Sequence, residues 1–443
     1  MLSVNNSDIY KNLYSEKKID KILSDSSFVN KILLFEKMLL KANYQLKNIP
    51  HKAYQNIRKA INACDFQTYQ LQEGLECSGV ITINILNSIK KNINKNYLPY
   101  LHYGATSQDA IDTAMILQIK EARSLFVNNL KKISSKLYNL VKKNTDTFTV
   151  ARTRNKIATL TTFSYKASNW LLPILRNLER LNKVYDSGLL AVQLGGPIGD
   201  LSSFNNKGNL IKEKLSVFLG LECDNFNWQN QRDRIIDFCN ILSMITGSIG
   251  KVAEDLLVLS QDEISEIDFN KSGISSSMRH KNNPIIAELL VALSKLNANR
   301  VSMIHETLMH KNERDGVSWI VEWNTLYSML RFTSASLTHF NKCISSLVLN
   351  KDNMKKNIDN TYGLLMSDFF YKELLKKYSA SKLDKIFPSF IDKALKEKKD
   401  LLDIVNSYLG QNLNINKSTF LSEYIKSNNE LVKSIEKKFS HIL

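Results

Sequence analysis

An all-α fold built on long helices is predicted by three features of the 443-residue sequence. Prolines are few: Pro50, Pro99, Pro173, Pro197, Pro284 and Pro388. The proline-free intervals 100–172, 198–283 and 285–387 carry apolar residues at spacings of three and four, the period of one helix face. Strand-like alternation is scarce. Helices of roughly 25–35 residues would span about 40–50 Å, a length that favours an elongated bundle over globin-like packing.

The first long element follows from Ile111, Met115, Ile119, Ala122 and Phe126, which fall on one face. A second runs through IIDFCNILSMITGSIGKVAEDLLVLSQDEI (235–264). Helices apolar on more than one face need partners beyond their own chain, so an oligomer is expected. A third begins with Asn283 at the cap and Pro284 at the first helical position, continuing through Ile285, Leu289, Leu293 and Leu296. Soft boundaries near 110 and 360 divide the chain into three domains. Residues 1–110 form an N-terminal helical domain and 111–360 a central bundle of long helices containing the loop 273–284. Residues 361–443 form a small C-terminal helical domain, rich in Lys and Asn.

Composition narrows the function classes. At 43% hydrophobic and 23% charged, the chain resembles an ordinary soluble protein. Its N-terminus lacks the apolar core of a signal peptide, and no uncharged apolar run reaches about 18 residues. The expectation is a cytoplasmic protein without a membrane partner. The five cysteines are scattered, odd in number and without CxxC spacing, so buried thiols are expected rather than disulfides or a zinc site. The net charge of +17 is spread along the chain with no basic stripe interleaved with aromatics. That pattern reads as a solvated surface rather than a nucleic-acid interface. No metal or cofactor is expected.

Two stretches carry the chemistry. In LHYGATSQDAIDTA (101–114), Gly104 permits a tight turn, Thr106 or Ser107 can cap the following helix, and Asp109 falls in its first turn. Hydroxyls, free N–H groups and a positive dipole end together suit a carboxylate or phosphate. In GISSSMRHKNNP (273–284), Ser275, Ser276 and Ser277 precede Lys281 and Asn283 at a helix start, where an anion would be held. A serine carries a proton only when N–H groups and positive charge lower its pKa.

Taken together, HYGATSQDAIDTA and SSSMRHKNNP resemble the fumarase/aspartase superfamily. AVQLGGPIGDLSSF (191–204), NWQNQRDRIIDF (227–238) and NERDGVSWIVEWNTL (312–326) follow its order. Within it, the chain most resembles the bacterial 3-carboxy-cis,cis-muconate cycloisomerase family. The resemblance implies a three-domain all-α homotetramer whose active sites each combine segments of three subunits. It also implies a small polycarboxylate substrate and proton transfer α to a carboxylate through an aci-carboxylate intermediate. Closure of 3-carboxy-cis,cis-muconate to a lactone is the expected reaction, in the breakdown of aromatic acids.

On that resemblance Ser275 is the proton-transfer residue, and Lys281 and Asn283 hold a carboxylate. Thr106 and Ser107 bind another, with His102 nearby and Arg314 of the ERD run also on the substrate. Glu288 matches a glutamate that polarises a catalytic histidine in relatives. The chain departs from the pattern in three places. Ile274 stands before the serines where relatives have glycine, and Arg279 stands in place of the loop proline. Arg154 and Ile157 in ARTRNKIA occupy the two places where relatives carry the histidine, so the second acid/base is unassigned. Trp323 stands where adenylosuccinate lyases place a phosphate-binding arginine, which favours a small flat acid over a nucleotide. The alternatives are a fumarate-releasing C–N lyase of the adenylosuccinate or nitrosuccinate type and a non-catalytic descendant of the scaffold.

Overall fold

A computed structural model describes residues 7–66, 68–270, 273–274, 277–278, 280–409 and 417–442. The fold is all-α; among the described residues, short two-stranded pairings and an isolated bridge between Ala191 and Glu222 accompany the helices. The chain divides into two units. The first comprises residues up to 128, 178–247 and 293–336; the second comprises 129–177, 248–292 and 337 onward. Helices Ser107–Lys142, Asp233–Leu259, Ile285–Glu306 and Gly316–Ser346 supply residues to both.

In the first unit, the periodicity that begins at Ile111 belongs to the 36-residue helix Ser107–Lys142, about 54 Å long at 1.5 Å per residue. Its Ile116, Ile119, Ala122 and Phe126 are fully buried, as are Ile235 and Leu242 of helix Asp233–Leu259 and Leu326 and Met329 of helix Gly316–Ser346. Buried Asn297 ties three of these helices by donating to Thr246 Oγ1 at 3.3 Å and Thr333 Oγ1 at 3.0 Å. Helix Asp25–Gln45, capped by the Ser24 hydroxyl, buries Ile32, Phe35 and Leu39 and packs against helices Gly208–Leu219 and His51–Asn62. Helix Asp233–Leu259 is long and apolar enough to cross a membrane, but more than half of its apolar window is buried within the chain.

The second unit holds a feature that the helical reading of 100–172 passed over. Strands Phe148–Thr153 and Lys156–Thr162 form an antiparallel hairpin with an irregularity at Ala151/Arg152. Arg154 and Asn155 at its tip both have positive φ, 50° and 62°, the conformation that a tight two-residue turn between twisted strands requires. Val150 and Leu160 pack with Leu365 and Phe420, and a second cluster gathers Phe370, Leu383, Phe387, Phe390 and Leu401.

Three expectations are corrected. Pro173 and Pro388 do not delimit helices but lie inside Phe163–Asn182 and Ala380–Glu397, each removing one backbone donor from an otherwise continuous helix. The helix after the signature loop starts at Ile285, so Pro284 stands before it rather than at its first position. Asn283 pairs with Gly273 in a short strand instead of capping. Of the five cysteines only Cys239 and Cys343 are buried. Cys77 and Cys223 are exposed, Cys77 in a four-residue surface helix between left-handed Gly74 and Gly79.

Candidate active site

The site in the first unit is organised by Asp109. This carboxylate is wholly buried and accepts four N–H groups. Oδ1 takes Gly195 N at 2.8 Å and Gln193 Nε2 at 3.2 Å; Oδ2 takes Gly196 N and Thr106 N, each at 3.0 Å. Burial pushes its pKa up and the four donors pull it back, with a net rise. The bond to Thr106 N makes Asp109 the reciprocal half of a capping box, three residues into the helix. One side chain therefore fixes both the helix start and the QLGG segment.

Close backbone packing explains the glycines on either side. Gly104 has φ +75°, and a Cβ there would lie 2.5 Å from the Phe204 ring. A Cβ on Gly196 would lie 2.9 Å from the Gly104 carbonyl oxygen. The two loops meet through their main chains.

The Asp109 amide donates to the Thr106 carbonyl at 3.0 Å, and the Thr106 hydroxyl takes another partner. Arg314 Nη2 donates to Thr106 Oγ1 at 2.7 Å and to the Pro197 carbonyl at 3.2 Å. The Arg314 loop is itself held: Gln229 Nε2 donates to Glu313 O at 3.2 Å and Asn230 Nδ2 to Asn312 O at 2.9 Å. Asp315 then caps the next helix, accepting from Val317 N at 3.0 Å and Ser318 Oγ at 2.8 Å. The guanidinium is exposed and keeps further donors for an anion.

His102 enters the same turn at φ +55°, and its carbonyl accepts the Ala105 amide at 3.2 Å. Its Nδ1 lies 2.6 Å from Glu36 Oε1. Burial opposes its charge, but the Glu36 carboxylate outweighs burial, and the pKa rises above the ordinary 6.5.

Beneath this loop lies a buried ionic cluster. Arg232 donates to Asp112 Oδ2 at 2.8 Å and to Glu322 Oε2 at 2.8 Å, all three side chains being fully buried. Trp319 Nε1 and Gln108 Nε2 also donate to Asp112, at 2.9 and 3.1 Å. Burial disfavours the Arg232 charge, yet the two carboxylates raise its pKa well above the ordinary value. QDAID, QNQRDR and WIVEW are thus joined by charge as well as by apolar contact.

The remaining expected residues lie in the second unit. Gly273 and Ile274 pair with Asn283 and Asn282, forming the base of the signature loop. A Cβ at Gly273 would meet Ile285 Cγ1 at 2.4 Å, so a side chain there would displace Ile285. Lys281 is exposed, its amide donating to Met278 O at 3.0 Å. Glu288 is exposed in the first turn of its helix, and its amide donates to Pro284 O at 3.1 Å. Ser275 and Arg279 lie outside the described residues. The hairpin tip exposes Arg154, Lys156 and Ile157 and presents no imidazole.

Residues 3–296 match the family model described as "Lyase", that of the fumarase/aspartase superfamily. The chain belongs to this superfamily. It is similar to the 3-carboxy-cis,cis-muconate cycloisomerase of Acinetobacter baylyi, 28% identical over 408 residues and 90% of each chain. It is 30% identical over 364 residues to the N-acetyl-S-(2-succino)cysteine lyase of Enterococcus italicus, covering 81% of this chain and 79% of that one. Among solved structures, the 3-carboxy-cis,cis-muconate lactonizing enzyme from Pseudomonas putida superposes with a TM-score of 0.90. Their identity is 25%, over 98% of this chain and 100% of that one. The chain is therefore an enzyme of the fumarase/aspartase superfamily.

The structure brings Thr106 and Arg314 together, with Ser107 opening the helix, and places His102 in the turn before Thr106 with its ring on Glu36. Sequence reading noted Asp109 as a first-turn residue but missed its hold on residues 193–196. It also missed Glu36, which lies on an ordinary amphipathic helix 66 positions before His102. The buried Asp112–Arg232–Glu322 cluster joins three separate motifs and has no local signal in the sequence.

Proposed function

We propose that the enzyme closes 3-carboxy-cis,cis-muconate to a carboxymuconolactone. An internal carboxylate oxygen adds to a double-bond carbon, and the neighbouring α-carbon takes a proton. Charge gathers on the carboxylate attached to that carbon as an aci-carboxylate forms, so the site must offer cations and N–H donors away from water. The observation that carries this reading is the placement of Arg314 on the Thr106 hydroxyl, at the N-terminus of a long helix. Thr106, Ser107, His102 and Arg314 would hold one carboxylate, and Lys281 and Asn283 another. Ser275 would deliver the proton, and Glu288 would support the site electrostatically. Trp323 in place of an arginine supports a small planar acid. Similarity over 90% of both chains to the Acinetobacter cycloisomerase supports the same substrate class.

The reading extends to a cytoplasmic homotetramer acting in aromatic-acid breakdown, with three subunits contributing to each site. Its domains would be 1–110, 111–360 and 361–443. A second reading, release of fumarate from a succinyl adduct, is supported by the 30% identity to the Enterococcus lyase. Purified enzyme offered carboxymuconate should bleach the diene absorbance; fumarate released from a succinyl adduct, with carboxymuconate untouched, would reverse the choice. Ser275→Ala should abolish turnover while leaving the oligomer intact, and unchanged turnover would remove Ser275 from its role.

A further inference from the structure

Glu36 is a buried carboxylate of the first unit. It projects from helix Asp25–Gln45 with its side chain 1% exposed. Its ion-pair partner among the described residues is His102, at 2.6 Å. A buried carboxylate without a partner is costly, and a pair this close is sustained only where the geometry is good. His102 in turn occupies the left-handed region, which costs a non-glycine residue about 1–2 kcal/mol. The His102 backbone opens the turn that leads to Thr106, its carbonyl accepting the Ala105 amide at 3.2 Å, while Nδ1 faces Glu36.

With Nδ1 committed to Glu36, Nε2 is the remaining donor, and it makes no hydrogen bond to the described residues. We propose that Glu36 is a positioning residue that holds His102 as an imidazolium, so that Nε2–H is offered to a substrate carboxylate at the Thr106 loop. This rests on the reading of that loop as a carboxylate site.

The charges around the ring support this. Burial lowers the His102 pKa; Glu36 and, more weakly, Asp109 raise it; Lys90 lowers it slightly, and the net change is upward. A raised pKa keeps the imidazolium populated to higher pH than the ordinary 6.5, and carboxylate binding weakens as pH rises through the raised value. The isosteric Glu36→Gln keeps an acceptor for Nδ1–H but removes the charge, so the His102 midpoint falls.

The test uses full-length enzyme with 15N-labelled histidine, titrated through neutral pH while both ring nitrogens are followed by NMR. The His102 signal is identified by its loss in His102→Gln. Wild type should titrate above 6.5 with Nδ1 protonated throughout, Glu36→Gln at lower pH, and Glu36→Asp between them. For whichever substrate turns over, Glu36→Gln should raise KM about tenfold at neutral pH with kcat little changed, the loss of one charge-assisted bond. A His102 midpoint equal in wild type and Glu36→Gln would overturn the proposal. So would a wild-type midpoint at or below 6.5, which also decides the matter should Glu36→Gln fail to fold. The titration needs no turnover, so its outcome is independent of which reaction the enzyme catalyses.

Discussion

Replacing Asp109 by Asn is nearly isosteric, yet it should be among the most damaging single changes in the first unit. Each carboxylate oxygen now accepts two N–H groups: Gly195 N and Gln193 Nε2 on Oδ1, Gly196 N and Thr106 N on Oδ2. An amide satisfies one of these pairs and turns its NH2 toward the other, leaving two buried donors facing a donor. At about 1.5–3 kcal/mol for each charge-assisted bond, the loss comes to roughly 3–6 kcal/mol, softened by whatever relaxation the loops allow. Burial raises the Asp109 pKa, so part of this is offset by relief of a buried charge, which places the expected cost near 3 kcal/mol. The assay is thermal unfolding followed by circular dichroism, with KM measured on the same preparation. A lower melting temperature together with a raised KM is expected, because Thr106 and residues 193–196 lose their common anchor. A variant that melts with wild type and keeps its KM would refute the role given to Asp109.

Arg314→Ala should raise KM about tenfold or more without lowering the melting temperature measurably, since the guanidinium is exposed and binds Thr106 from outside the core. Arg232→Met should cost about 3–5 kcal/mol in unfolding experiments by leaving Asp112 and Glu322 buried and unpaired; a neutral outcome would contradict the cluster. Gly104→Ala places a side chain at φ +75° and a Cβ 2.5 Å from Phe204, and roughly 2–4 kcal/mol of destabilisation is expected on calorimetry. The Glu36–His102 pair stabilises the fold fully below the unfolded histidine pKa and loses that contribution as pH rises through the raised folded value. The gap in melting temperature between wild type and Glu36→Gln should therefore narrow at alkaline pH.

What was legible in the sequence is local. The period beginning at Ile111 and the cap–turn order of GATSQD identify the helix and its start because both depend on neighbours within a few residues. The hairpin 148–162 escaped because its turn uses Arg154 and Asn155 rather than glycine, and its β-branched residues sit between long helical patterns. Pro173 and Pro388 misled because burial of the surrounding helix outweighs one missing donor. Three of the four partners of Asp109 lie more than 80 positions away and His102 lies 66 from Glu36, distances at which only the fold brings charges together. The motif order across 101–326 was informative about the family for the opposite reason: it records such pairings without explaining them.

The most direct measurement is product analysis by NMR after incubating purified enzyme with 3-carboxy-cis,cis-muconate. The account predicts disappearance of the conjugated diene, appearance of a lactone with one solvent-derived hydrogen on the α-carbon, and loss of both in Ser275→Ala. Unreacted carboxymuconate alongside fumarate formed from a succinyl adduct would contradict it.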